Sequence, residues 1–284
     1  MQASPQEVAA GLGDTGYLCD DDLATVAFLG LRMQRPLLLE GEPGTGKTAL
    51  AEALAEALAV PLVRLQCYEG IDASQALYDW DFPRQILHLR AVESVAGNSG
   101  LEEVEQGLFS ERFLLARPVL RALRESPAVL LVDEIDRADD EFEAFLLEVL
   151  STHQVSVPEL GTVVAETPPL VVLTSNRTRE LHDALKRRCL YHWIEYPSRE
   201  REAEIVRARL PGVSEEVVAR VCDGVARLRG EELYKAPGVG ETITWARALL
   251  ALDGRASLEE TLGVALKVRE DIERVRAAGV LDGA

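Results

Sequence analysis

The chain has 284 residues, of which 47% are hydrophobic and 27% are charged, and its formal net charge is -18. This composition excludes wholesale disorder, and the acidic charge disfavours non-specific binding to a nucleic-acid backbone. The four cysteines form no C-x-x-C pair that would indicate a zinc site. The sequence has no apolar run long enough to span a bilayer and no signal pattern, so we expect a cytoplasmic protein.

The first predicted elements lead into a glycine-rich turn. We expect a flexible N-terminal segment over residues 1–16 and then an amphipathic helix over Asp21–Gln34. The apolar run Pro36–Gly41 predicts a buried strand. After the turn, a stretch rich in alanine and leucine predicts a helix that ends before Pro61.

Three further apolar runs predict buried strands, at Pro61–Cys67, Ala128–Glu134 and Pro169–Asn176. Strands that alternate with helices indicate a parallel sheet whose ligands bind at the carboxyl ends of the strands. The stretch between the glycine loop and Ala128–Glu134 exceeds what a βαβ unit needs, so we expect an insert over about residues 67–110. A β-hairpin is predicted over about residues 153–169.

Beyond Pro197 the strand patterns stop, and charged amphipathic segments predict a small helical domain over residues 198–284. The expected fold class is therefore α/β, with a parallel sheet flanked by helices over residues 17–197. A small C-terminal all-α lid completes the prediction.

The turn after the first strand matches G-x-x-x-x-G-K-S/T in full. It consists of Gly41, Glu42, Pro43, Gly44, Thr45, Gly46, Lys47 and Thr48. Glycines let the backbone N–H groups point at phosphate oxygens, and the following helix offers its positive end. Lys47 would neutralise the terminal phosphates of ATP and Thr48 would bind Mg²⁺. The alternative is an ordinary glycine turn.

Polar residues end two of the later predicted strands. Asp133 suits the Mg²⁺ shell, and Glu134 suits the orientation or deprotonation of a water molecule. Asn176 could hold the attacking water or the γ-phosphate through its amide. The alternatives are a solvated acidic turn for the pair and a simple turn residue for Asn176.

Two adjacent arginines, Arg187 and Arg188, precede the last predicted strand, far in sequence from the glycine loop. An arginine there cannot easily reach its own γ-phosphate, but it could complete the site of a neighbouring subunit as an arginine finger. The alternative is a basic surface cluster that pairs with Glu180 and Asp183.

Together these motifs resemble an AAA+ ATPase. The segments are GEPGTGKT, DEIDRAD, LTSN and LKRRC, followed by the helical lid. The segment CYEGIDASQALYDWDFPRQ, the helical LLEVLSTHQV and the hairpin are similar to the MoxR branch, particularly its CoxD-like members. The resemblance covers nearly the whole chain from about Tyr17 onward.

The resemblance implies a hexameric ring with ATP at the subunit interfaces and Mg²⁺ as cofactor. It further implies remodelling, maturation or activation of a partner protein, possible clients being metalloenzymes, together with a partner that bears a von Willebrand A-type domain. It assigns Lys47 and Thr48 to the phosphates and Mg²⁺, Asp133 and Glu134 to the second nucleotide motif, and Asn176 to the first sensor. It assigns the arginine finger to Arg188, with Arg187 as the alternative.

One departure from the family pattern concerns the second sensor, because the lid sequence PGVGETITWARAL has no arginine before Arg247. Arg247 could reach the γ-phosphate from one helical turn further on, or it could face solvent. The aromatic residues Tyr78, Trp80 and Phe82 could line a pore or grip a client, or they could be half-buried strand residues. By analogy with the family, Tyr17 packs near adenine or belongs to the core.

Other classes of function remain open from the residues. Similar cores and an Arg-Cys pair occur in clamp loaders, so a nucleic-acid motor or loader is the alternative function, although the net charge of -18 and the lack of a basic stripe disfavour it. A small-molecule phosphotransferase would not require the lid or the LKRRC arginines. The remaining alternative is a scaffold protein that binds ATP without hydrolysing it.

Overall fold

The computed structural model describes residues 4–96 and 107–282. In chain order the strands are β1 (Leu37–Gly41), β2 (Leu62–Gln66), β3 (Tyr78–Trp80), β4 (Leu114–Ala116), β5 (Val129–Asp133), β6 (Gln154–Val157), β7 (Gly161–Val164), β8 (Leu170–Ser175) and β9 (Leu190–Ile194). Short 3₁₀ turns cover Glu111–Phe113 and Ile135–Arg137.

The helices are numbered here in the same way. They are α1 (Pro5–Asp14), α2 (Asp21–Met33), α3 (Lys47–Leu58), α4 (Ala73–Leu77), α5 (Phe82–Ala96), α6 (Pro118–Arg124), α7 (Asp140–Thr152), α8 (Asp183–Arg188), α9 (Arg199–Arg209), α10 (Glu215–Arg229), α11 (Val239–Ala251), α12 (Leu262–Ala265) and α13 (Arg269–Ala278). Within the described ranges, no helix is both long enough and apolar enough to cross a membrane.

A five-stranded parallel sheet organises the larger part of the molecule, in the order β2-β5-β8-β1-β9. The strands β1, β5 and β8 are buried along their whole length, as expected where helices cover both faces of a parallel sheet. The predicted parallel α/β fold flanked by helices is confirmed. The register pairs Gln66 with Asp133 and Leu39 with Thr174, so the carboxyl ends of neighbouring strands meet at one edge.

Two small antiparallel sheets lie outside the central one. β3 pairs with β4 in the region where an insert is expected, and β6 pairs with β7 as a hairpin in the range predicted for one. Residues 97–106 of the expected insert lie outside the described residues. Trp80 is buried in β3 beside the half-buried Tyr78, whereas Phe82 begins α5 and is 55% exposed, so the strand reading is wrong for Phe82.

The N-terminus differs from its prediction. A flexible segment over residues 1–16 is wrong for Pro5–Asp14, which form α1, with Ser4 capping the helix by accepting a hydrogen bond from the Glu7 amide at 3.3 Å. Val8 and Leu12 lie four residues apart on one face, are fully buried, and join the core that contains α2 and α3. The burial of these two side chains outweighs the acidic composition on which the prediction rested.

The C-terminal region is helical, as predicted, and has a hydrophobic core of its own. Trp245 and Leu249 of α11 are fully buried there against Val221 and Val225 of α10. The first residues of α11 contact the glycine loop, because the Val239 amide donates to the Gly44 carbonyl at 2.9 Å. The helical region therefore closes one side of the sheet edge.

Candidate nucleotide-binding site

The glycine loop joins β1 to α3 in a conformation that needs its glycines. Gly44 and Gly46 have φ angles of +80° and +97°, where side chains are strongly disfavoured. A Cβ atom on Gly41 would collide with the Ile194 carbonyl oxygen. Gly46 is the N-cap of α3, so the loop curls directly into the positive end of that helix.

Lys47 is held inside this loop. The residue is only 6% exposed, and Nζ donates to the carbonyl oxygens of Gly41 and Glu42, both at 2.8 Å. Burial lowers the pKa of Lys47, while the nearby carboxylates, with Asp136 first among them, act in the opposite direction. The ammonium group is thus positioned in the concavity where terminal phosphates of a nucleotide would lie.

A hydroxyl and a carboxylate meet where β5 ends beside the loop. Thr48 Oγ1 donates to Asp133 Oδ1 at 2.9 Å, and Thr174 Oγ1 donates to the same oxygen at 2.6 Å. Asp133 is 3% exposed. Hydroxyl and carboxylate oxygens are the donors that Mg²⁺ prefers, usually with several waters, so Thr48 and Asp133 fit the ion. Thr174 was missed from the sequence, although it belongs to the LTSN motif.

Glu134 and Asn176 also lie together. Glu134 has a φ angle of 55°, and its amide donates to Thr174 Oγ1 at 2.9 Å. Its carboxylate accepts from Asn176 Nδ2 at 3.4 Å and from Gln66 Nε2 at 3.1 Å. The residues predicted as water activator and sensor therefore share one hydrogen-bonded group, in which Gln66 is a member that sequence reasoning missed.

Asp136 is a further residue that the sequence analysis did not single out. It is 2% exposed, and its Oδ2 accepts from the Asn176 amide at 3.2 Å and from the amide and hydroxyl of Thr178 at 2.8 and 2.7 Å. Among the described residues its Oδ1 has no partner. Asp136 thereby ties the turn after β5 to the loop that carries Asn176, and its position in DEID is the signal that could have revealed it.

A cavity of about 1070 Å³ opens from the glycine loop toward the helical region. Tyr17 lines it, with its ring against Gly46, and burial raises the pKa of the Tyr17 hydroxyl. Arg201 and Ile243 contribute to the cavity from the helical region. The Arg201 guanidinium also donates to the Cys19 carbonyl at 2.5 Å, which connects that region to the segment around Tyr17.

The remaining predicted site residues lie apart from this cavity. Arg187 and Arg188 are exposed at the end of α8 and do not line it, while the Arg35 side chain donates to their carbonyl oxygens at 2.7 and 3.1 Å. In the described part of the chain neither arginine forms an ion pair, and it is Lys186 that contacts Glu180, at 3.3 Å. Arg247 is exposed one turn beyond Ile243 and does not line the cavity either.

The fold and the site together define a class of protein. A glycine loop between a central parallel strand and a helix, acidic residues at the end of a neighbouring strand, and a helical region over the cavity are the features of a P-loop AAA+ protein. A family model of the AAA domain of the dynein-related subfamily matches residues 36–189, more than half of the 284-residue chain. The chain belongs to this family.

Two similar staphylococcal proteins are themselves uncharacterized. An uncharacterized protein of Staphylococcus haemolyticus is 28% identical over 183 residues, which span 62% of this chain and 62% of that relative, less than two thirds of its length. An uncharacterized protein of Staphylococcus saprophyticus is 24% identical over 254 residues, 87% of this chain and 88% of that one. Among solved structures, the FIGL-1 AAA domain is 17% identical with a TM-score of 0.45, covering 91% of this chain and 78% of that chain.

Proposed function

We propose that this chain is a magnesium-dependent ATPase of the MoxR type, CoxD-like, that couples ATP hydrolysis to remodelling, maturation or activation of a partner protein. The observation that carries the ATPase proposal is the 2.9 Å contact between Thr48 and Asp133, with Glu134 in hydrogen-bond contact with Asn176 beside it. The contact joins the glycine loop to the end of β5, where metal, phosphate and water chemistry must coincide.

Each residue of the site has a role in this proposal. The loop amides and Lys47 bind the phosphates, and Thr48 and Asp133 hold Mg²⁺, which when bound neutralises charge on the phosphate oxygens. Glu134 orients a water molecule and accepts its proton as the water attacks the γ-phosphorus and ADP leaves. The Asn176 side-chain amide holds the Glu134 carboxylate and the water molecule in position relative to each other by hydrogen bonds.

The proposed quaternary structure is a ring of subunits, which the resemblance to the MoxR branch implies is hexameric. Arg188, with Arg187 as its rival, would act on the nucleotide of the neighbouring subunit, which agrees with the exposure of both side chains outside their own cavity. The resemblance also supports a von Willebrand A-domain partner and a metalloenzyme client, and a cytoplasmic location is proposed from the sequence pattern. For Arg247, the exposure of the side chain outside the cavity favours the solvent-facing alternative over the second-sensor role.

The test of the ATPase proposal is Glu134→Gln. We expect Mg·ATP binding by calorimetry to match that of the unmodified chain, because the loop contacts are intact. We expect turnover to fall by about 10² or more, because the amide cannot accept a proton. The control is Glu148→Gln on the exposed face of α7, with turnover unchanged. Normal turnover in Glu134→Gln would contradict the assigned role, and an absence of Mg·ATP binding in the unmodified chain would contradict the whole proposal.

A further inference from the structure

Arg64 of β2 contacts one acidic residue of the site directly and was not singled out by its sequence context. Its Nη2 atom donates to Asp133 Oδ2 at 2.5 Å and to Gln66 Oε1 at 2.8 Å. Arg64 and Gln66 are two residues apart on a strand, so their side chains lie on the same face. Because Gln66 is also the register partner of Asp133, both side chains lie on the same face of the sheet as that carboxylate.

The contact with Asp133 balances a buried charge. Asp133 Oδ1 accepts from two neutral hydroxyls, those of Thr48 and Thr174, whereas Oδ2 receives the Arg64 guanidinium. The Asp133 side chain is 5% exposed and the Arg64 side chain 50%, so the arginine reaches in from the surface. A carboxylate this deeply buried is costly without a charged or hydrogen-bonded partner, which gives the Arg64 position a physical reason.

The contact with Gln66 fixes the direction of an amide. A guanidinium group can only donate hydrogen bonds, so Gln66 must turn its oxygen toward Arg64. The Gln66 NH₂ group then faces the other way and donates to Glu134 Oε2 at 3.1 Å. Arg64 thus connects Asp133 to Glu134 through one side chain whose orientation it determines.

We propose that Arg64 is a positioning residue for hydrolysis, which holds Glu134, through Gln66, in a fixed relation to the carboxylate of Asp133. The inference rests on the proposed ATPase function. Arginine suits this role better than lysine, because its planar group presents several donors in a fixed fork and can serve both oxygens at once. Since Arg64 acts on Glu134, its loss reduces the rate of the chemical step and leaves nucleotide binding largely intact.

The test uses the full chain with Arg64→Ala, Arg64→Lys and Gln66→Ala. We expect Arg64→Ala to lower kcat roughly tenfold or more and to change KM for Mg·ATP by less than about threefold. Arg64→Lys should recover part of kcat, because the charge returns without the fork. The control is Arg121→Ala, which removes an arginine of similar exposure, 51%, from a 2.7 Å ion pair with Glu125 and should leave kcat unchanged.

Two combined variants distinguish a positioning role of Arg64 from a general disruption of the site. The double variant Arg64→Ala with Gln66→Ala should be about as slow as the slower single variant, because the two residues act as one unit. In the Glu134→Gln background, Arg64→Ala should neither lower the residual turnover further nor weaken Mg·ATP binding in calorimetry by more than about threefold.

Several results would overturn the assignment of Arg64 while the unmodified chain remains an active ATPase. They are a normal kcat in Arg64→Ala, multiplicative losses in the double variant, or a further loss in the Glu134→Gln background. Weakened Mg·ATP binding equal to the loss of kcat would assign Arg64 to binding instead. If Arg64→Ala does not fold, an unchanged kcat in Gln66→Ala, which keeps the arginine, overturns the proposal. An unmodified chain without turnover contradicts the ATPase function itself.

Discussion

Substitution of Gly238 tests whether the helical region must touch the glycine loop for activity. Gly238 is the N-cap of α11 and its φ is -84°, so alanine meets no backbone strain there. A Cβ atom at this position would lie 2.6 Å from Gly44 Cα and 2.9 Å from the Gly44 carbonyl oxygen. Both are backbone atoms, so no side chain can rotate away to make room.

The size of the effect follows from that geometry. Ordinary van der Waals contact begins at 3.4 Å, so alanine forces α11 and the loop about 0.8 Å apart. Overpacking of this kind costs about 1–3 kcal/mol of unfolding free energy. A misplacement near 1 Å at a catalytic site can reduce the rate by about 10², so we expect Gly238→Ala to lower kcat by roughly 10 to 10².

Steady-state hydrolysis and thermal unfolding of the Gly238→Ala chain measure both effects. The control is Gly263→Ala in α12, where an added Cβ meets nothing within 4 Å, and where we expect unchanged turnover and equal or slightly raised stability. Wild-type turnover and wild-type melting in Gly238→Ala would refute the reasoning, because they would mean that the close approach of the two glycines does not matter for folding or activity.

Three further predictions address the ring, the sensor loop and the N-terminus. Mixing Lys47→Ala subunits with Arg188→Ala subunits should restore some turnover through hybrid interfaces, and a complete lack of rescue would count against action between subunits. Asp136→Ala should lower kcat roughly tenfold in steady-state assays. Asp136→Asn should keep much of the wild-type kcat, because the asparagine amide oxygen still accepts hydrogen bonds from Asn176 and Thr178. Equal losses of kcat in the two variants would refute the role of Asp136. Leu12→Ala should cost about 2–5 kcal/mol in denaturant unfolding, and no change would contradict the packing of α1.

The central sheet and the glycine loop could be predicted because each has a local signal. The strand runs are continuous apolar segments, and the loop requires glycines at Gly44 and Gly46, whose positive φ angles other residues rarely adopt. The acidic pair was found for the same reason, since Asp133 and Glu134 end such a run. The geometry brings these residues together at the predicted edge of the sheet.

The residues that sequence reasoning missed depend on long-range pairing. Arg64 and Gln66 look like the exposed positions of an alternating strand, and only the parallel register of β2 with β5 brings them to Asp133 and Glu134. The function of Asp136 depends on amides 40 and 42 residues away. Helix α1 was missed because only two of its residues, Val8 and Leu12, are buried, which is too few for a clear apolar pattern in the sequence.

The helical region and the glycine loop are also connected by a chain of side-chain contacts that begins at a buried glutamate. Glu202, 1% exposed, receives two hydrogen bonds from Arg229, at 2.7 and 2.9 Å. The Arg229 guanidinium stacks over the Tyr196 ring at 4.2 Å, and the Tyr196 hydroxyl donates to the Pro43 carbonyl at 3.1 Å. Cation–π contact and charge-assisted hydrogen bonds of this kind hold their partners in defined geometry. The loop is therefore supported at Pro43 through Tyr196 as well as at Gly44 through α11.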